Sequence, residues 1–163
     1  MTHDRRRVQQ RGLFYEEFEL DVVYEHRPGR TVTESDNVIF TTMTMNTQGL
    51  HLDAAWAQTQ PFGTRLVNSL FTLSTLVGSS VAQLTQGTLV ANLGFDQVTF
   101  PHPLFHGDTL YSESAVAGRR LSGSRPGEGI VTLAHTGRNQ HGDVVATALR
   151  TVLVRCRPAH EES

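Results

Sequence analysis

Lysine is absent from the chain, cysteine occurs once, and the segment from Leu66 to Phe95 carries no charge at all. Each absence excludes something. All 14 basic residues are arginines set against 16 acidic ones, for a formal net charge of −2. That balance makes no extended basic face for nucleic acid or an anionic membrane. A lone Cys156 rules out an internal disulfide and a multi-cysteine zinc site, and it suits a reducing, cytoplasmic compartment. The uncharged stretch holds too many Ser, Thr, Asn and Gln residues for a membrane span, which takes about 20 predominantly apolar positions. The N-terminal MTHDRRRVQQRG has no apolar core of a secretory signal and reads as a frayed tail over residues 1–12. A second short tail is expected at 159–163, leaving 13–158 as one domain of ordinary size.

What is present is ordered punctuation. Leu66, Val67, Leu70, Phe71, Leu73, Leu76, Val77, Val81 and Leu84 recur at about 3.6 residues, predicting a helix from Leu66 to Leu84 that Gly87 terminates. Its lack of charge and its small residues imply enclosure by a sheet on most sides. Beyond Gly87 the period shortens to about two. Leu89–Phe100, Thr109–Ala117, Gly129–Thr136 and Val144–Val154 read as successive antiparallel strands, with Asn139–Asp143 as a hairpin turn. Pro101 and Pro103 mark a strand end or bulge flanked by His102 and His106. These two histidines cannot share a helix face as a metal pair would.

Upstream, Val22–Thr33 suggests a strand, a turn at Pro28-Gly29 and a second short strand. Thr33 to Asp36 offers caps for a helix over Asn37–Thr42, and Asp53 opens another over Ala54–Gln58. Met43 and Met45 are expected to pack as core filler. The order of elements gives an α+β class, an antiparallel sheet around a long central helix.

The segment TMNTQGLHLDAAWAQTQPFGTRLVNS, Thr44–Ser69, is the chemically suggestive one. It places His51 five residues after Asn46 on an irregular loop and then enters the long helix. It resembles the hydratase signature of the MaoC-like, (R)-specific enoyl-CoA hydratase family, Gly-Asp-x-Asn-Pro-Ile-His followed by Phe-Gly-x-Arg. The resemblance covers roughly Phe14–Arg157. His51 matches, and Arg65 ends the Phe-Gly-x-Arg element. Asn46 stands where the family has its catalytic aspartate, Gln48 for its asparagine and Gly49 for its proline. Within the family, DNVIFTTMTMNTQGLHLD and RLVNSLFTL look like a subgroup of branched C5 dicarboxylyl-CoA hydratases, acting on thioesters such as mesaconyl-CoA or itaconyl-CoA.

The resemblance implies a single hotdog domain, a homodimer or higher homo-oligomer, an acyl-CoA thioester substrate, and no cofactor or metal. It implies a hydro-lyase adding water reversibly across an α,β double bond. His51 is the expected acid/base, because an imidazole side chain can both take and give a proton. Asn68 and Ser69 open the long helix, where unpaired N–H groups suit a thioester oxygen gaining charge. Gln48, Gly49 and Arg65 complete the expected substrate contacts.

Two explanations of Asn46 stand side by side. A neutral amide can orient water without cycling a proton, and it tolerates a substrate carboxylate that an aspartate would repel; Arg65 could then bind that carboxylate. Alternatively the missing aspartate marks a non-catalytic acyl-CoA-binding or partner subunit. Asp36 and Asp53 are candidates for a replacement carboxylate. Phe-Gly-x-Arg also accompanies uncharged substrates in the family, which favours a structural or general acyl-CoA role for Arg65. An acyl-CoA thioesterase of the same fold is the other competitor; acidic residues on the central helix are commonly used there, and this helix has none.

Overall fold

The computed structural model describes residues 5–159. Thr33 opens the first helix, α1 (Glu34–Met43), with a reciprocal capping box: its hydroxyl accepts from the Asp36 N–H while the Asp36 carboxylate accepts from the Thr33 N–H. Two single-turn helices follow, α2 (Gly49–Leu52) and α3 (Ala54–Ala57), the second capped by Asp53 through the Trp56 N–H. The long helix α4 spans Ser69–Leu84. The strands are β1 (Val23–Thr31), β2 (Leu89–Thr99), β3 (Thr109–Leu121), β4 (Glu128–Arg138) and β5 (Val144–Arg155). They form one antiparallel sheet in the order β1-β3-β4-β5-β2.

Three details depart from the sequence reading. Pro28 and Gly29 do not end a strand, because β1 runs through them with a shift of register between His26 and Arg30. β1 is an edge strand, so a missing N–H costs no ladder bond on its open side. Leu66 and Val67 are extended rather than helical: Leu66 bridges Phe105, and the Val67 N–H donates to the Leu104 carbonyl at 2.9 Å. Met43 and Met45 lie on the surface, since α1 turns Asn37 and Thr41, one helical turn apart, toward the interior.

α4 is enclosed on one side only. Thr72, Leu76, Ser80 and Leu84 face the sheet, while Leu70, Ser74, Gly78 and Ala82 form an uncharged ridge pointing away from it. Leu70 is 58% exposed. Five strands cover one flank of a helix, and the opposite flank is bare in the single chain.

Under α4 the apolar core falls into two clusters. Phe18, Leu84, Val116, Val131, Leu133, Val152 and Val154 pack beneath its C-terminal half. Val32, Val67, Leu76, Leu104, Leu110, Val145 and Ala146 pack beneath the other. A buried polar chain lies in the same layer: the His26 ring bonds Gln83 and Ser114 at 2.8 Å each, and Ser114 bonds His135 at 2.7 Å. Burial and the nearby Arg150 charge push the His135 pKa down to about 3. The first residues also take part. Gly12 and Leu13, the former assigned by sequence to the tail, donate N–H bonds to the carbonyls of Gln86 and Leu84.

Candidate active site

Four segments meet where α4 begins, and one side chain joins them. Asn37 is fully buried on α1. The two hydrogens of its Nδ2 are shared among three acceptors, the carbonyls of Leu66 at 3.0 Å and His51 at 3.3 Å and His106 Nε2 at 2.9 Å. Its Oδ1 accepts the Asn68 N–H at 2.8 Å. Three of these partners are backbone groups with fixed roles, so they determine which way the amide points. His106 Nε2 must therefore accept, which makes His106 neutral with its proton on Nδ1. Burial, and next the nearby Arg65 charge, lower the His106 pKa and favour the same state.

His51 lies on α2, a single turn of helix rather than the irregular loop expected. Its Nδ1 is 2.9 Å from the Leu66 carbonyl oxygen. A carbonyl only accepts, so Nδ1 carries a proton, and in the neutral ring Nε2 is the nitrogen with the lone pair. The Leu66 oxygen thus serves both His51 and Asn37. Arg65, one residue earlier, pairs with Glu34 at the start of α1. The arginine side chain is 15% exposed and the glutamate 61%.

The remaining expected residues differ in what they have to offer. Asn46 Oδ1 accepts the Gln48 N–H at 2.9 Å, an Asx turn that leaves the Asn46 Nδ2 group available as a donor. Gln48 is exposed and contributes its carbonyl to the His51 N–H at 3.1 Å. Gly49 lies against the Trp56 ring, where a Cβ would come within 3.2 Å. Asn68 caps α4 by accepting the Leu70 N–H at 3.0 Å, and its own N–H is committed to Asn37. It is thus a builder of the site, and the helix-start donor for a ligand passes to the Ser69 N–H, which has no acceptor within the helix.

Neither candidate replacement carboxylate is available. Asp36 is held by Thr33 and by Arg30 at 2.6 Å, and Asp53 caps α3. Asn37 and His106 are the residues that sequence reasoning missed as site members. The i, i+4 polar pair Asn37 and Thr41, both buried on α1, is the signal that could have pointed to an inward polar face. A cavity of about 210 Å³ adjoins α4's start, lined by Leu66 and Ser69 and by apolar residues including Phe62, Phe100, Leu104 and Val145. His51 and Asn46 are not among its lining residues. Among the described residues, no three His, Cys, Asp or Glu side chains gather as a metal centre would require.

The model of the MaoC-like domain matches residues 17–139, three quarters of the chain. This protein belongs to the MaoC-like domain family. Among curated relatives, this MaoC-like chain is 31% identical over 147 residues to a β-methylmalyl-CoA dehydratase of Chloroflexus aurantiacus, covering 90% of this chain and 41% of that protein. It is 29% identical over 146 residues to a mesaconyl-CoA hydratase of Cereibacter sphaeroides, covering 90% and 42%. The MaoC-like chain spans less than half the length of these relatives. Its fold is the hotdog. It superposes with a TM-score of 0.80 on a double-hotdog protein of Mycobacterium tuberculosis, at 21% identity, over 93% of this chain and 47% of that one. No helix among the described residues is long and apolar enough to cross a membrane.

Proposed function

We propose that this chain is a hydro-lyase that adds water reversibly across the double bond of an enoyl-CoA, with a branched C5 dicarboxylyl-CoA such as mesaconyl-CoA as its substrate class. The observation that carries the reading is the His51 ring, anchored through Nδ1–H on the Leu66 carbonyl at 2.9 Å, beside the start of α4. In this role His51 Nε2 takes a proton from water as the oxygen bonds to the β-carbon. The electron pair of the double bond moves toward the thioester oxygen, where the Ser69 N–H stabilises the developing charge. The proton on Nε2 then passes to the α-carbon, which completes the addition and restores neutral His51. Asn46 Nδ2 donates to the water oxygen and orients it.

Two features support a dicarboxylic substrate. An aspartate at position 46 would repel a second carboxylate, whereas the amide does not. The named relatives act on mesaconyl-CoA and β-methylmalyl-CoA. The working unit is a homodimer in this proposal. The open edge of β2, with Leu93 and Phe95 exposed, and the bare α4 ridge give a second copy a surface to cover. The relatives' double length and the double-hotdog neighbour are consistent with a paired unit.

The test is incubation of purified protein with crotonyl-CoA, mesaconyl-CoA and itaconyl-CoA. Hydration removes enoyl absorbance and frees no thiol. Thiol release would establish a thioesterase, and loss of neither signal would establish a non-catalytic binder.

A further inference from the structure

Arg65 is a largely buried cation whose counter-charge is largely exposed. Its partner Glu34 is the first residue of α1, a place where a carboxylate is stabilised by the helix N-terminus even without an arginine. An ion pair with one exposed member holds weakly against a competing carboxylate. Beside it, the Asn37 amide occupies His106 Nε2 and so leaves the neutral ring with a donor, Nδ1–H, for which no acceptor is found among the described residues. The antiparallel bridge between Leu66 and Phe105 sets Arg65 opposite His106, Asn37 Nδ2 bonds both the Leu66 carbonyl and the His106 ring, and Glu34 pairs with Arg65, which brings these side chains into one patch. The patch therefore holds one fixed cation, one neutral N–H donor and one replaceable anion.

We propose that Arg65 and the His106 Nδ1–H form the receiving site for the second carboxylate of a dicarboxylyl-CoA, and that Glu34 occupies Arg65 until the substrate displaces it. A planar guanidinium suits two-point binding of a carboxylate, and an added neutral donor strengthens the hold without placing a second positive charge beside Arg65. Asn37 is then a positioning residue for specificity: it sets which His106 nitrogen faces outward. The inference rests on the hydratase reading for the identity of its substrate, though the carboxylate site itself is measurable without turnover.

The experiment has a binding arm and a kinetic arm. Mesaconate, a free branched dicarboxylate, is titrated into the wild-type protein while histidine imidazole resonances are followed by NMR, the His106 signals being assigned through His106→Gln. A saturable shift of the His106 signals is expected. It is lost in Arg65→Gln, and it saturates at roughly fivefold lower mesaconate in Glu34→Gln, where no anion competes. In the kinetic arm, His106→Gln raises the ratio of KM for mesaconyl-CoA to KM for crotonyl-CoA about tenfold, a loss confined to the carboxylate contact. An absent shift, a shift unchanged in Arg65→Gln or Glu34→Gln, or KM values that rise together for both thioesters overturns the proposal. Should Arg65→Gln fail to fold by circular dichroism, Glu34→Gln decides the binding arm. Protein that shows the shift but hydrates neither thioester refutes the hydratase reading and upholds the site; active protein without the shift does the reverse.

Discussion

His51 carries the sharpest residue-scale expectation. His51→Ala lowers hydration turnover by at least about a hundredfold if Nε2 moves the proton, measured as loss of enoyl absorbance on protein whose melting curve matches wild type. Asn46→Asp tests the charge argument from the other side. Turnover of crotonyl-CoA rises and that of mesaconyl-CoA falls, because the new carboxylate can take a proton but repels a second one on the substrate; the opposite pattern refutes that argument. Asn37 is read through stability. Asn37→Leu leaves the His51 carbonyl and the Asn68 N–H without their buried partner and the Leu66 carbonyl with His51 Nδ1 alone, so urea unfolding should show a loss of about 3 kcal/mol. His51 stands out in the sequence as a candidate because a recurrent motif surrounds it, and Arg65 because it ends that motif. The meeting of Asn37 with His106, separated by 69 residues in the chain, was not legible. It depends on how the loop after Pro103 folds back over α1, and no local periodicity encodes that.

At the scale of elements, the caps were the most readable feature. Asp53 caps the helix it was expected to open, and Thr33, one of four candidates for capping a helix from Asn37, caps one that begins three residues earlier at Glu34. Asn68→Ala should cost the protein roughly 1–2 kcal/mol in denaturant unfolding from the cap alone. The start of α4 was read three residues too early because Leu66 and Val67 are apolar and continue the helical spacing. Competing pairing with Phe105 and Leu104 takes them into extended structure. The expected turn at Pro28-Gly29 failed for a related reason: register with β3 resumes at Arg30 and carries the strand past the two residues. The expected enclosure of α4 was half right. The sheet covers one face of the helix, and the uncharged ridge opposite is exposed in the single chain.

At the scale of the molecule, the bare ridge predicts self-association. Sedimentation should show a dimer, and Gly78→Glu, which sets a charge on the exposed ridge clear of neighbouring atoms, should shift it toward monomer. The buried histidines set the acid limit of the fold. His135 holds its folded pKa at about 3 against an ordinary 6.5, and that of His26 is lowered too, chiefly by burial. The unfolded chain binds more protons in that interval, so their stabilisation is complete above about pH 6.5 and drains as pH falls toward 3. Thermal melts taken down that range should lose Tm from about pH 6.5, and His135→Asn should flatten the decline. The strap formed by Gly12 and Leu13 has a consequence of another kind. With Asn37 and Asn68 gripping one end of α4 and the strap donating N–H groups to the carbonyls of Leu84 and Gln86 at and just beyond the other, neither terminus is loose. Unwinding cannot creep inward a turn at a time from Leu84, so amide deuterium uptake over the last turn should be as slow as at the middle and await global opening, while the Ser69 N–H at the other tip exchanges fast.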